Sequence, residues 1–323
     1  MKRRRLLGFG AAVALTSHAP RASTETYPAK TIRVIVAYPP GGQSDLITRL
    51  VARKLGSLLD VPVVVENRPG AGGTLGVEVA ARAPADGYTL LLSGGTALTL
   101  SPALESNLRY DAQRDFVPIA RVARVPLVLI ANAALPVSSL AELVTYARKS
   151  PGKLNYASGN TMVQIAFEAL KISSGIDIVG VPYTGSAPAI VDVAAGRVDI
   201  GLVDVAVVAP HVQSGRVKVL ASATASRTRT FPDVPTAIEQ GFADFVWEPW
   251  SALLAPAHTP AAAVARLQSA MQQALAAADF REGLANLGFD PIDEDPKTFP
   301  ALLREETAAY RRLVSRTGLR VEK

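Results

Sequence analysis

The sequence has no cysteine and only three histidines among its 323 residues. Without cysteine the chain can form neither a disulfide scaffold nor a thiolate metal site. His211 and His258 are the histidines beyond the leader discussed below, and neither has a second histidine at ligand spacing. We therefore expect no metal site, and we expect both histidines on the solvated surface.

Motifs of common catalytic and nucleotide-binding sites are also missing. The pattern Gly-x-Ser-x-Gly fails because Gly42-Gln-Ser44 is followed by Asp45-Leu46, and no phosphate-binding loop ending in Gly-Lys-Ser/Thr is present. Gly70, Gly72 and Gly76 do not have the spacing of a dinucleotide fingerprint. The sequence therefore predicts no cofactor, and its polar loops favour binding over catalysis.

No stretch after the leader has the roughly eighteen unbroken apolar residues that a membrane-spanning helix needs. The leader itself, residues 1–24, combines Lys2-Arg-Arg-Arg5 with the apolar run Leu6 to Leu15. This pattern is typical of an export signal, with the Sec and twin-arginine routes both open and cleavage between Ala19 and Glu25. We expect a soluble exported protein.

The strong positive charge of the chain comes mainly from that leader. Five of the 34 basic residues lie there, which leaves 29 against 28 acidic residues in the expected mature chain. A nearly neutral chain does not provide the basic face that a nucleic-acid partner requires, so none is expected.

The most informative segment is the first unit after the leader. Ile32 to Val36 is apolar and mostly β-branched, as in a strand buried on both faces. Pro39 and Pro40 end the strand, Gly41 and Gly42 allow close backbone approach, and a periodic helix follows with Ser44 or Asp45 as its cap. Such a loop at a helix N-terminus favours an anion, although an ordinary strand-to-helix turn has the same pattern.

Polar residues follow other predicted strands at the same position. Ser93-Gly-Gly-Thr96 comes after a strand at Tyr88–Leu92, with Thr96 alternatively a helix cap, and Asp204 ends a strand beginning near Val198. Ligands of open α/β sheets bind at the carboxyl ends of strands. Asp199 and Asp204 are not expected to act as an acid–base pair, because their spacing places them on opposite faces of a strand.

The order of segments predicts a two-lobed α/β fold. Phe116–Asn132 and Val246–Ala255 are extended segments interrupted by prolines, typical of strands that pass between domains. We expect residues 25–123 and 247–323 to form one lobe and residues 124–246 the other, with two extended crossings between them. Polar loops at the edges of two hinged lobes are typical of a binding protein that closes around a small solute.

Motifs along the whole chain resemble those of the tripartite tricarboxylate transporter receptor family, also called Bug proteins. The resemblance extends from Tyr27 to Gly318 and rests on these segments: Tyr27-Pro-x-Lys30, Pro39-Pro-Gly-Gly-x-x-Asp45, Val64-Val-Glu-Asn-Arg-Pro-Gly-Ala-Gly-Gly73, Asp86-Gly-Tyr-Thr-Leu-Leu91, Pro151-Gly-Lys-Leu-Asn-Tyr156, Val181-Pro-Tyr-x-Gly-Ser-Ala-Pro188, Gly196-x-Val-Asp199, Phe231-Pro-Asp-Val-Pro-Thr236 and Leu254-Ala-Pro-Ala257.

The resemblance implies a periplasmic-binding-protein fold of the type II-like, Venus flytrap kind. It also implies a non-enzymatic, periplasmic monomer that holds a small carboxylate and delivers it to a membrane permease. The contact positions carried over from the family are Tyr38, Gly42, Ser44, Asp45, Ser93, Thr96, Ser158, Asn160, Thr161, Tyr183, Gly185, Ser186 and Asp204.

One loop departs from the family pattern. Asn155 to Gln164 is shorter than in relatives and has no histidine, so Met162 and Val163 are expected to make the pocket more apolar. Two alternatives stay open at this stage. One is an α/β enzyme, hydrolase-like or isomerase-like, with Asp45 or Asp204 as its base; the other is a ligand-loaded partner of a membrane signalling protein.

Overall fold

A computed structural model describes residues 27–317 of the chain. The predicted export signal, residues 1–24, lies outside the described residues. The described strands are β1 (Ile32–Val36), β2 (Val63–Asn67), β3 (Thr89–Gly94), β4 (Phe116–Arg124), β5 (Leu127–Asn132), β6 (Asn155–Ser158), β7 (Val179–Pro182), β8 (Ile200–Asp204), β9 (Val217–Ser222), β10 (Trp250–Pro256) and β11 (Asp290–Pro291).

Helices separate most of these strands in sequence. They are α1 (Gln43–Leu59), α2 (Thr74–Ala81), α3 (Ser101–Leu104), α4 (Leu140–Lys149), α5 (Thr161–Ser174), α6 (Ser186–Ala194), α7 (Val205–Gln213), α8 (Ala261–Ala276), α9 (Ala278–Asn286) and α10 (Phe299–Thr317). A π-helical turn, Thr96–Leu100, leads directly into α3.

The strands form two separate sheets. One has six strands in the order β11-β4-β10-β3-β1-β2, and the other has five in the order β7-β6-β8-β5-β9. We call the layers around them the first lobe and the second lobe. In the first lobe β1 runs parallel to β2 and β3, and in the second β6 runs parallel to β7 and β8. The carboxyl ends of parallel neighbours therefore lie at one edge of each sheet.

Burial on both faces explains the apolar sequence of β1. Ile32 and Val34 belong to a core cluster that includes Ile47 and Val51 of α1, while Ile35 belongs to the cluster on the other face. All of these side chains are fully buried. Helices cover both faces of the sheet, which is the arrangement that parallel sheets require.

Two extended segments connect the lobes, as the sequence predicts. Strand β4 belongs to the first sheet and β5 to the second, and Val125 and Pro126 separate them. The return segment ends at β10, which pairs antiparallel with both β3 and β4. The segments also contact each other, because the Val125 amide donates to the Pro249 carbonyl at 2.7 Å. The two-lobed α/β fold is confirmed.

Two predicted helix caps are wrong. Gly42 is the N-cap of α1, so Ser44 and Asp45 lie inside its first turn and neither side chain caps the helix. Thr96 is not a cap either, because Gly95 precedes the π-helical turn and no side chain caps it. By contrast, α4 has a side-chain cap, because Ser139 accepts the Glu142 amide at 3.1 Å.

Across residues 27–317, none of the helices is long and apolar enough to cross a membrane.

Candidate functional site

The loop between β1 and α1 is fixed by the carboxylate of Asp45. This side chain is only 2% exposed and accepts the Gly41 amide at 3.0 Å. Arg49, one turn later, donates to both carboxylate oxygens at 2.9 and 3.0 Å. Asn67 at the end of β2 donates to the same carboxylate at 3.0 Å and to the Tyr38 carbonyl at 3.1 Å. Asp45 therefore holds the loop in place with both of its oxygens.

The charge of Asp45 is stabilised by these partners. Burial alone raises the pKa of the carboxyl, but hydrogen bonds from Arg49, the Gly41 amide and Asn67 outweigh it and lower the pKa below its ordinary value. The carboxylate is ionised and engaged at neutral pH. This arrangement does not provide a general base, since a base needs a free oxygen facing a substrate.

The same loop leaves the N-terminus of α1 without a side-chain cap. Gly42 has extended backbone angles, φ −78° and ψ 171°, and Gly41 before it has φ +80°, which favours glycine. The first amides of a helix have no partner within the helix. Those at Gln43 and Ser44 are therefore suited to an anion, supported by the helix dipole.

Tyr38 joins this loop to the end of β3. Its phenol lies beside Ser93, Gly94, Thr96 and Ala97. Burial raises the pKa of Tyr38, and these polar neighbours only partly offset that effect, so the phenol stays a hydrogen-bonding group at neutral pH. The Ser93 hydroxyl is fully buried and has no well-formed hydrogen bond within the described part of the chain.

In the second lobe, the loop after β6 begins α5. The Asn160 side chain caps that helix by accepting the Val163 amide at 3.0 Å, and the Ser158 hydroxyl donates to the Asn160 carbonyl at 3.2 Å. Thr161 is the first residue of the helix. Met162 and Val163 are buried, and Met162 lies in the wall of a different cavity, so the prediction that these two residues make this pocket more apolar is not supported by their positions.

The loop after β7 lies against the loop after β6. The Tyr183 amide donates to the Ser158 carbonyl at 2.8 Å, and the Tyr183 hydroxyl donates to Asp192 at 2.8 Å. A Cβ atom on Gly159 would lie 2.9 Å from the Gly185 carbonyl carbon and 3.1 Å from the Ser186 nitrogen. Only glycine permits this close approach, which holds the uncapped N-terminus of α6 against the neighbouring loop.

Asp204 contacts both lobes. It ends β8 and precedes α7, yet its side chain does not cap that helix. It faces Gln43, the first residue of α1 in the first lobe, and Ser186, the first residue of α6 in the second. Burial raises the pKa of Asp204, and hydrogen bonding with Gln43 and Ser186 only partly lowers it.

The structure therefore links all the predicted loops at one place between the lobes. Contacts run from Thr96 through Tyr38 to the loop at Gln43, then through Asp204 to Ser186 and Gly159. The N-termini of α1, α6 and α7 lie here, and none has a side-chain cap. The arrangement offers main-chain and hydroxyl donors.

Three residues at this place were missed by the sequence reasoning: Gln43, Asn67 and Gly159. The sequence could have indicated Asn67, because it is a polar residue at the carboxyl end of a parallel strand, as Ser93 is. Asp199 lies near the opposite end of β8, where it accepts the Asn155 amide at 2.8 Å, and so cannot pair with Asp204. Residues 27–317 contain no group of three or more potential metal ligands, and His258 is exposed.

Two α/β lobes, two extended crossings and a ring of strand-end loops between them define a periplasmic-binding-protein-like receptor fold. The sequence profile of the tripartite tricarboxylate transporter family receptor matches residues 47–319. The chain belongs to this family, as its motifs predict.

Relatives and solved structures agree with that assignment. The chain is 35% identical to protein BugT of Bordetella pertussis, with all of both chains covered. A Rhodopseudomonas palustris protein, Rpa4515 with adipate, has a TM-score of 0.80 at 29% identity, covering 90% of this chain and 98% of the other. MatC from Rhodopseudomonas palustris with bound malate has a TM-score of 0.75 at 31% identity, covering 89% and 100%.

Proposed function

We propose that this chain is a periplasmic receptor that holds a small carboxylate between its lobes and delivers it to a membrane permease. The observation that carries the proposal is the convergence of the uncapped N-termini of α1 and α6 around Gln43, Ser186 and Asp204; at the start of α7 the Val205 amide already donates to the Pro126 carbonyl. Such termini bind anions through main-chain amides and the helix dipole. The adipate and malate complexes of the two relatives support a carboxylate as the ligand class.

The predicted contact positions divide into two groups by what their polar atoms already do. Asp45, Ser158, Asn160 and Tyr183 have internal partners, and we assign them the positioning of their loops. The groups that we propose touch the solute are amides and hydroxyls: Tyr38, Gly42, Ser44, Ser93, Thr96, Thr161, Gly185 and Ser186. Gln43 joins this group. Asp204 is proposed to connect the lobes when they close, through Gln43.

We also propose that the receptor performs no catalysis. The family is one of solute receptors, and the Asp45 carboxylate is already occupied by Gly41, Arg49 and Asn67. Lobe boundaries at residues 123–124 and 246–247 and a monomeric state complete the proposal. The change of sheet between β4 and β5 supports the first boundary.

The test is a thermal-shift panel on the purified mature chain. It uses mono-, di- and tricarboxylates, each paired with the corresponding amide of the same carbon skeleton. A ligand that binds only the folded state at about one hundred times its Kd stabilises that state by ~2.7 kcal/mol, which is a measurable rise in Tm. We expect at least one acid, and not its amide, to raise Tm. Shifts with the amides alone, or with no acid, would refute the carboxylate assignment.

A further inference from the structure

A large cavity lies away from the proposed solute site. Its volume is about 860 Å³, and it runs along α5 from Met162 to Ser174, between α4 and α10. Residues 240–249, which lead back to the first sheet, form its inner wall. None of the predicted contact positions lines it. A volume of this size is typical of small-molecule sites.

Part of the cavity lining is apolar and aromatic. Trp247 and Tyr310 lie with ring centroids 6.4 Å apart and planes inclined at 32°. Leu170 of α5 and Leu313 of α10 line the same space from opposite sides. Such a surface favours a ring or a short hydrocarbon chain, which would bury its own apolar area between the two helices.

Two buried polar atoms in the wall have no internal partner. Trp247, which is 7% exposed, has no acceptor for its Nε1 group among the described residues, and the hydroxyl of Ser174, 4% exposed, is unpartnered there too. Buried polar groups are normally hydrogen-bonded. Both atoms are themselves inaccessible from the cavity, so the polar contacts of a molecule bound there come from the exposed side chains of the lining.

The mouth of the cavity carries more positive than negative charge. Arg148, Arg312 and Arg316 are exposed lining residues, and Asp244 is the exposed carboxylate beside them. Arg148 is partly committed, because it donates to the Ser174 carbonyl. Within residues 27–317, neither Arg312 nor Arg316 makes an ion pair.

Glu306 and Glu248 bring the whole lining to three acidic and three basic residues, but both are less exposed than the arginines. Glu306 accepts the Trp250 indole N–H at 3.0 Å and also interacts with Tyr310. Glu248 is half-buried at the inner end. Arg312 and Arg316 stand one turn apart on α10, so their guanidinium groups can reach one anionic head group.

We infer that this cavity binds an amphipathic organic anion, a molecule with one ring system or short alkyl chain and one carboxylate or sulfonate. The apolar part lies between Leu170, Leu313 and the Trp247 ring, and the anionic group lies at Arg312 and Arg316. Because α5 belongs to the second lobe and α10 packs against the first sheet, the bound molecule touches both lobes. The site is separate from the proposed carboxylate site.

The probe for the test is anilinonaphthalene sulfonate, whose fluorescence rises when its rings leave water. We expect saturable binding of one probe per chain, with octanoate displacing it. The double variant R312Q/R316Q should weaken binding roughly tenfold, because it removes charge-assisted contacts at the anionic group. Ala309→Trp, which fills the cavity from α10, should abolish binding.

The matched control is Arg304→Gln, which removes an exposed positive charge from the same helix outside the cavity. It should bind the probe like the unmodified chain. Non-saturable binding, equal affinity in R312Q/R316Q and the unmodified chain, or an equal loss in Arg304→Gln would each overturn the inference. Both arginine changes lie on the surface, so the outcome does not depend on Ala309→Trp folding correctly.

Discussion

The side chain of Gln43, at the start of α1 in the first lobe, faces the carboxyl group of Asp204, at the end of β8 in the second lobe. Asp204 is 8% exposed, so this contact is shielded from water. Polar interactions in such a setting are stronger than at the surface, and an unpaired group there is costly. Protonation of Asp204, or substitution of either residue, should therefore change the stability of the folded chain.

Replacing Asp204 with asparagine should raise stability at neutral pH. Burial raises the pKa of Asp204 above the unfolded value of about 3.9, so ionisation disfavours the folded state. The stability that the protonated form contributes is complete below about pH 4 and is lost as pH rises through the folded pKa. In ligand-free protein, the Tm advantage of Asp204→Asn should be near zero at about pH 4 and grow towards about pH 7.

Exposed Asp233→Asn is the control for that pH series, because it makes the same chemical change at a side chain that folding does not bury. A Tm for Asp204→Asn that is equal to or below that of the unmodified chain at neutral pH would show that ionisation at Asp204 is not disfavoured by folding.

Replacing Gln43 with proline tests whether the main-chain amide of that residue holds the solute. Proline suits the first position of a helix, and Gly42 before it already has the extended angles that proline requires. The change removes the Gln43 N–H and the side chain, whereas Gln43→Ala removes the side chain alone. A hydrogen bond to a charged group contributes about 1.5–3 kcal/mol, so Gln43→Pro should bind the best acid of the panel roughly ten- to a hundredfold more weakly than Gln43→Ala. Calorimetry that gives equal affinities for the two variants would exclude a role for this amide.

The sequence predicts the connectivity of the fold better than the details of the site. The β-branched run at Ile32–Val36 and the prolines that follow it define β1 and its end, because burial and missing donors act locally. Pro126 similarly marks the change from one sheet to the other. Local chemistry determines these features, and so they can be inferred without tertiary contacts.

Other features depend on contacts between distant segments. The hydrogen bond from Asn67 to Asp45 joins β2 to α1. The need for glycine at position 159 arises only because the loops after β6 and β7 lie side by side. Capping preferences alone favour Ser44 or Asp45 at the start of α1. The tertiary hydrogen bond from Asn67, together with the local ion pair to Arg49 on the same helix, instead holds Asp45 in the first turn, and Gly42 takes the cap position.

Replacing Asp45 with alanine should lower both stability and solute affinity. The change removes the hydrogen bonds that the Gly41 amide and the Asn67 side chain donate to a buried carboxylate, and a hydrogen bond to a charged group contributes about 1.5–3 kcal/mol. Arg49→Ala removes only the partly exposed ion pair, which contributes about 0.2–1 kcal/mol. Urea unfolding should therefore show a clearly larger loss for Asp45→Ala. Equal losses in the two variants would mean that Asp45 acts through its charge pair and not by holding the loop.

The carboxylate of Asp45 also has a defined pH dependence. Its hydrogen bonds lower the folded pKa below the unfolded value of about 3.9, so the stabilisation is present above that value and is lost as pH falls through the folded pKa. The unmodified chain should lose its advantage over Asp45→Ala in this acidic range. A difference in stability between the two chains that stays constant down to about pH 2 would contradict a lowered pKa of Asp45 in the folded state.

Replacing Gly159 with alanine should force apart the two loops of the second lobe that form the site. The added methyl group would lie 2.9 Å from the Gly185 carbonyl carbon and 3.0 Å from its oxygen, and main-chain atoms cannot move aside as a flexible side chain can. Overpacking of this kind costs about 1–3 kcal/mol, and displacement of the α6 N-terminus should also weaken solute binding. The control is Gly201→Ala in β8, where the nearest atoms would be 3.6 Å away, an ordinary contact distance. Thermal unfolding and calorimetry on both variants measure these two effects. If Gly159→Ala binds the acid as tightly as Gly201→Ala, the close approach of these loops does not position the solute.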